Sequence, residues 1–197
     1  MGNIGIIGRA RVGKDTAGKW LVDSRGYRRV GFADALKDMA LRINPIVGTD
    51  TDVLVTEGDR LSDVVSFWGW EKAKEIPEVR RFLQELGAAV RAEDPEFWLR
   101  IALKLATAAN KAGVPMVITD VRYPNEADSL RRAGFHLVHI SRPDVPQLDH
   151  ESEGALTEDD ADFVIVNHGS VTSYVNKVES IWDQICTIES RKHFARL

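Results

Sequence analysis

The sequence holds one cysteine, Cys186, among 197 residues. A single cysteine forms no intramolecular disulfide and no Cys-based zinc site, and it suits a reducing compartment. Long apolar runs are also missing. The first apolar stretch, Ile4 to Ile7, is interrupted by Gly5 and closed by Gly8, too short for a signal-peptide core. No stretch approaches the ~18 apolar residues of a membrane span. Met1-Gly2 opens like a myristoylation site, but position 6 is Ile6 rather than Ser or Thr. Excess positive charge is absent as well: 26 Lys and Arg against 30 Asp and Glu leave a net charge of −4. A general nucleic-acid binder is ordinarily basic. The expectation is therefore a cytoplasmic protein with no membrane contact and no stable nucleic-acid complex. Hydrophobic residues at 44% against 28% charged argue for a packed core over disorder.

Strand and helix signals alternate. Asn3–Gly8 reads as a buried strand ending in glycine, Gly13–Val22 as a helix, Tyr27–Phe32 as a second strand and Ala33–Ile43 as a second helix. Residues 44–76 are the least regular, with Pro45, Gly48, Gly58, Gly69, Asp50, Asp52 and the aromatics Phe67, Trp68 and Trp70. They read as a mobile insertion with room for one short helix. Val79, Phe82, Leu83, Leu86 and Val90 then recur at helical spacing. Asp94 is a candidate N-cap with Pro95 at the first helical position, and Phe97, Trp98, Ile101, Leu105 and Ala109 form the buried stripe of the helix that follows. Strands are expected at Val114–Asp120, Phe135–Ser141 and Phe163–Asn167, with helices at Asn125–Ala133 and Val171–Ile188 and a frayed tail from Arg191. Such alternation predicts an α/β fold, a mostly parallel five-stranded sheet flanked by helices in three layers.

Two motifs carry chemistry. Gly8, Arg9, Ala10, Arg11, Val12, Gly13 and Lys14 fit G-x-x-x-x-G-K between a strand and a helix. Glycines let the backbone wrap a polyphosphate with its N–H groups inward, the helix start adds a positive dipole end, and the lysine reaches the β and γ oxygens. Asp15 stands where Ser or Thr normally holds Mg²⁺, so either Asp15 or Thr16 supplies the metal-side oxygen; Asp15 could equally be a helix-N-terminal acid. The second motif is VPMVITD, an apolar strand ending at Asp120, where a carboxylate could hold Mg²⁺ from the carboxyl end of the sheet or simply cap the helix at Pro124. Arg122 follows two residues later.

Beyond these, GRARVGKDT, FADALKDM, VRRFLQELGAAVR, VITDVRYPNEA and VNHGS occur in an order that resembles bacteriophage-type deoxynucleoside monophosphate kinases, within the P-loop nucleoside monophosphate kinase group. The resemblance runs from about Ile4 to Val178 and is weakest over 44–76. It implies a single P-loop kinase domain over residues 1–197, with an acceptor-side insertion at about 44–112 and a short lid-like loop at about 142–158. It implies ATP, Mg²⁺ and transfer of the γ-phosphoryl group to a deoxynucleoside 5′-monophosphate. It assigns Gly8 to Thr16, Asn167 and Gly169 to ATP, and Asp15, Thr16 and Asp120 to the metal. Asp34, Lys37, Arg81, Gln84 and Arg91 fall to the acceptor, and Lys14, Arg122 and Arg142 to the charge of the transferring group. Residue by residue the plainer alternatives stay open. Asp34 could cap the second helix, the Arg81–Gln84–Arg91 face could be solvated surface, and the Asn167–Ser170 turn could cap the last helix. Trp68 and Trp70 could stack a base or fill a core.

No general base is needed, because a monophosphate oxygen is already anionic at neutral pH. Two other readings share these motifs: a related small-molecule kinase resembling dephospho-coenzyme A kinase, and a non-kinase ATP-binding regulator. The five histidines show no metal-ligand spacing. Partners are expected to be small nucleotides, and the aromatics at 67–70 leave room for a homodimer contact.

Overall fold

A computed structural model of the chain describes residues 2–48, 56–145 and 155–195. Asp50, Asp52, His150 and most of the expected lid-like loop lie outside these. Five strands, β1 (Asn3–Ile7), β2 (Arg28–Val30), β3 (Met116–Val121), β4 (Phe135–Ser141) and β5 (Phe163–Val166), form one sheet in the order β2-β3-β1-β4-β5. Every pairing is parallel. The helices are α1 (Lys14–Arg25), α2 (Phe32–Ile43), α3 (Leu61–Ala73), α4 (Pro77–Glu93), α5 (Phe97–Lys111), α6 (Pro124–Arg132) and α7 (Val171–Phe194). The chain divides into two compact units: residues 1–32 with 99–197, and residues 33–98.

The sheet belongs to the first unit. Its three central strands, β3, β1 and β4, are mostly apolar and buried along their length, as strands covered on both faces are, whereas the edge strands β2 and β5 keep exposed residues. On one face Ile4, Ile6, Val117, Val138, Ile140 and Ile165 pack with Ala17 and Leu21 of α1 and Tyr174, Val178 and Ile185 of α7. On the other, Leu137 and Val121 close over Gly5 together with Leu130 of α6. β1 lies centrally, between β3 and β4. The chain leaves it toward β2 on one side and later reaches β4 on the other. This reversal is where an open α/β sheet forms a crevice at its carboxyl edge.

β2 is shorter than expected at both ends. The Tyr27 N–H bonds to the Leu21 carbonyl at the end of α1, and Phe32 already begins α2. β3 continues one residue past Asp120, and α7 runs through Phe194 rather than fraying from Arg191. Arg191, Lys192 and His193 in its last turn complement the helix dipole.

The second unit is helical. Ala40, Val47, Leu61, Val64, Ala73, Ile76 and Val79 form its core, with Trp68, Trp70 and Phe82 packed against them. The stretch expected to be irregular thus contains a 13-residue helix, α3, bent at Gly69 (φ 74°). Asn44 sets its start: the Asn44 side-chain oxygen accepts from the Ser62 N–H at 2.8 Å, and its carbonyl accepts from Arg60 at 2.9 Å.

The reading of α5 is corrected in two respects. The helix opens at Phe97, not Pro95, because the Asp94 carboxylate takes up the Glu96 N–H in a turn before it. Its buried face is Trp98, Leu99, Ala102, Ala106 and Ala109, while Leu105 is 38% exposed. Trp98 and Ala109 are buried as expected, Phe97 and Ile101 are half-buried, and Leu99, Ala102 and Ala106 complete the side that packs closely.

Candidate functional site

The loop from Gly8 to Gly13 leaves the end of β1 and enters α1 at Lys14. Two features of its path depend on glycine. At Gly8 (φ 146°) a Cβ would lie 2.3 Å from the Ile140 carbonyl oxygen, so the loop begins pressed against the backbone of β4. At Gly13 (φ 113°) a Cβ would lie 2.7 Å from the Asn167 side-chain nitrogen and 3.1 Å from the Tyr174 ring. Between them Arg11 takes a left-handed conformation (φ 64°). The Lys14 ammonium folds back across the loop to the Arg9 carbonyl at 2.5 Å, so its charge lies against the loop's own backbone.

The register of β1 and β3 pairs Ile7 with Val121. This brings Asp120, half-buried, beside the strand end from which the loop departs. Its Oδ1 accepts the Phe32 N–H at 3.1 Å, so the carboxylate also secures the start of α2. It does not cap the helix at Pro124. That task falls to Glu126, a buried residue whose Oε2 accepts from the Arg122 and Tyr123 N–H groups at 2.9 and 3.1 Å. Glu126 therefore fixes the backbone that carries Arg122. Because the N-cap is Tyr123 rather than Ser, Thr, Asp or Asn, the capping-box spacing does not mark Glu126 in the sequence.

Asp15 lies in the first turn of α1 with its side chain 92% exposed, 3.9 Å from an Arg29 nitrogen. Arg29 in turn bonds the Thr119 hydroxyl at 3.1 Å. Sequence reasoning missed Arg29, and no motif marks it. Thr16 is exposed one residue later. Among the described residues no group of three or more His, Cys, Asp or Glu could hold a metal by itself. A few hard oxygen donors beside a glycine-bounded loop suit Mg²⁺, which keeps several waters and binds through one or two carboxylates rather than an all-protein cage.

On the β4 side, Arg142 follows the strand directly and is exposed. His139 lies 3.9 Å from Glu158. Burial pushes its imidazole below the ordinary value, Glu158 and Asp160 oppose this, and Arg9 and Lys14 add to it. After β5, the Asn167 amide donates to the Val12 carbonyl at 2.7 Å, the Tyr174 hydroxyl to the Gly13 carbonyl at 2.9 Å, and the Ser173 N–H to the Ser170 hydroxyl. Ser170 thus caps α7, while Gly169 is exposed in the turn before it.

Residues 63–178 match the family model described as deoxynucleotide monophosphate kinase. The chain belongs to this family. The matched stretch takes in Arg81, Gln84, Arg91, Asp120, Arg122, Arg142 and Asn167. A putative deoxynucleotide monophosphate kinase of Acanthamoeba polyphaga mimivirus is 26% identical over 187 residues, covering 91% of this chain and 95% of that protein. The deoxynucleotide monophosphate kinase of Enterobacteria phage T4 is 31% identical over 106 residues, 52% of this chain and 44% of that protein. A sugar kinase from Janibacter sp. HTCC2649 shares the fold at a TM-score of 0.50 and 15% identity, over 93% of this chain and 95% of that one. Family and fold together make the chain a nucleotide kinase, an enzyme of phosphoryl transfer.

In this kinase the expected acceptor residues all fall in the second unit. Asp34 is in the first turn of α2, not at its cap, since the helix starts at Phe32. The Lys37 ammonium lies 5.5 Å from the Trp70 ring centre. Gln84 is exposed and Arg91 half-buried on α4, on either side of Gly87, where a Cβ would touch Leu36 of α2 at 3.4 Å. Arg81 is held differently. Its guanidinium bonds Glu78 at 2.5 and 2.9 Å and Glu85 at 2.6 Å along α4. Glu78, then Glu85, holds its pKa above the usual arginine value.

Proposed function

We propose that this nucleotide kinase takes ATP with Mg²⁺ as donor and passes the γ-phosphoryl group to a deoxynucleoside 5′-monophosphate. The observation that carries the reading is the Gly8–Lys14 loop at the carboxyl end of the central strand, with Asp120 in register beside it. In this reading the loop amides and Lys14 bind the triphosphate, with Arg9 and Arg11 adding positive charge. Asp120 and Asp15 or Thr16 would hold Mg²⁺, which neutralises charge on the β and γ phosphates when bound. Asp34, Lys37, Gln84 and Arg91 meet the acceptor. Arg81 joins them only by exchanging Glu78 and Glu85 for phosphate.

Chemically, a phosphate oxygen of the acceptor forms a bond to the γ phosphorus as the bond from that phosphorus to the β–γ bridging oxygen breaks, and ADP leaves. The acceptor oxygen is already ionised, so no proton has to be removed. Lys14, Arg122 and Arg142 stabilise the spread negative charge, and the loop fixes the line of attack.

The test is thin-layer detection of diphosphate products from each deoxy- and ribonucleoside monophosphate with ATP and Mg²⁺, with dephospho-coenzyme A as a further acceptor. Product from at least one deoxynucleotide, and none from dephospho-coenzyme A, is the expected result. ATP hydrolysis without transfer to any acceptor would refute it.

A further inference from the structure

A loop that grips an anion with its N–H groups must send its carbonyls elsewhere. In a planar trans peptide the C=O and the next residue's N–H point in opposite directions, and no described peptide here is cis. Whatever holds the Val12 carbonyl therefore aims the Gly13 N–H, and whatever holds the Gly13 carbonyl aims the Lys14 N–H. Both carbonyls are held from one side. The Asn167 amide takes Val12 at 2.7 Å and the Tyr174 hydroxyl takes Gly13 at 2.9 Å. The Gly13 carbonyl also accepts the Ala17 N–H, the first bond of α1.

Neither side chain has slack. Asn167 is 8% exposed and Tyr174 2%. The Asn167 N–H is tied to the Ser141 carbonyl of β4 at 2.7 Å, and Tyr174 is packed into the core between α1 and the sheet. Both close on Gly13 so tightly that a methyl group would not fit. Burial holds the Tyr174 phenol protonated and hence a donor.

We propose that Asn167 and Tyr174 are positioning residues that set the aim of the Gly13 and Lys14 N–H groups onto the donor's phosphates, and that Asn167 acts through the loop rather than on the adenine edge. The inference rests on the donor reading above. It predicts that both residues act on the triphosphate and on nothing else in the ligand.

The test compares the full chain with Tyr174→Phe, which removes one oxygen and keeps the ring, and with Asn167→Ala. KM is measured for ATP and for the acceptor, along with inhibition by inorganic tripolyphosphate and by adenosine. Each variant should raise the KM for ATP and the inhibition constant of tripolyphosphate in parallel, roughly five- to thirtyfold. The acceptor KM and the adenosine constant should stay within about twofold. If Asn167→Ala weakens adenosine and spares tripolyphosphate, the residue reads the base and the inference is overturned. If Asn167→Ala does not fold, Tyr174→Phe decides alone, and an unchanged tripolyphosphate constant in it overturns the proposal. A wild-type enzyme inhibited by neither compound would overturn the donor reading as well, which separates the two failures.

Discussion

Gly8→Ala probes the start of the Gly8–Lys14 loop through two independent penalties. The backbone at Gly8 has φ 146°, a region essentially reserved for glycine that costs about 1–3 kcal/mol for other residues. The added methyl would also lie 2.3 Å from the Ile140 carbonyl oxygen, far inside the roughly 3.5 Å at which carbon reaches contact. The Cβ position is fixed by the backbone leading out of β1 and the oxygen belongs to the backbone of β4, so no side-chain rotation relieves the clash. Overpacking of this kind adds about 1–3 kcal/mol. The sum is about 4 kcal/mol, against which the stiffer unfolded chain returns about 0.5 kcal/mol. For a chain of this size that corresponds to a melting temperature lower by about 7–14 °C. Gly134→Ala is the control: φ is 82°, but nothing lies within 4 Å of the new Cβ, so only about 1–2 kcal/mol of left-handed strain applies. Calorimetry and urea titration of the two variants give the comparison, and the KM for ATP should rise for Gly8→Ala alone. Equal losses in both, or less than about 1 kcal/mol at Gly8, would refute the close approach of loop and strand.

Lys14→Ala should lower kcat by at least ~10²-fold with an unchanged circular dichroism spectrum, since Lys14 is only half-buried and bonds the loop itself; near-native turnover would remove the donor site from this loop. Glu126→Ala strips the carboxylate from two N–H groups and should lower stability by about 3 kcal/mol, seen as a melting point lower by about 6–12 °C, with Glu126→Gln in between. The double variant Glu78→Gln, Glu85→Gln frees Arg81; if Arg81 serves the acceptor, its KM should fall by a few-fold in steady-state assays, and a constant value would leave Arg81 as plain surface. His139 is held below its ordinary pKa of 6.5 by burial, so the fold disfavours its charged form. Its contribution is complete above about pH 6.5 and is lost as the pH falls through the lower, folded-state value. Unfolding free energy should therefore drop more between pH 7.5 and 5.5 in wild type than in His139→Gln, and equal drops would exclude the imidazole as the cause.

Local signals made the sheet legible. β1, β3 and β4 are largely apolar runs, as strands buried on both faces are, and the edge strand β5 is a short apolar run between Asp162 and Asn167. The G-x-x-x-x-G-K loop between β1 and α1 was equally plain as a turn, because its glycines and lysine lie within seven residues of one another. What stayed hidden depends on partners far along the chain. Asn167 and Val12 are brought together only by the pairing of β4 with β1 and β5, and nothing in the string NHGS says that its amide faces a carbonyl 155 positions away. Tyr174 belongs to no motif, and its hydroxyl's target is a tertiary fact. The face of α5 was legible only at Trp98 and Ala109, because the alanines at 102 and 106 are a weak hydrophobic signal and a strong packing one. Around α3 the turn residues of 44–58 masked a helix held in place by Asn44 and by tryptophans that fill a core.

The length of α7 has a consequence of its own. Near its start Tyr174 grips the loop; near its end Glu189 bonds His136 at 2.9 Å, at the opposite edge of the sheet. The grips are fifteen residues apart (189 − 174), about 22 Å of helical rise. Inserting or deleting one residue between them would swing the far half by about 100° and detach one end. Length changes there can be absorbed only as near-whole turns, so the rod acts as a gauge that fixes how far apart the sheet's two rims must be.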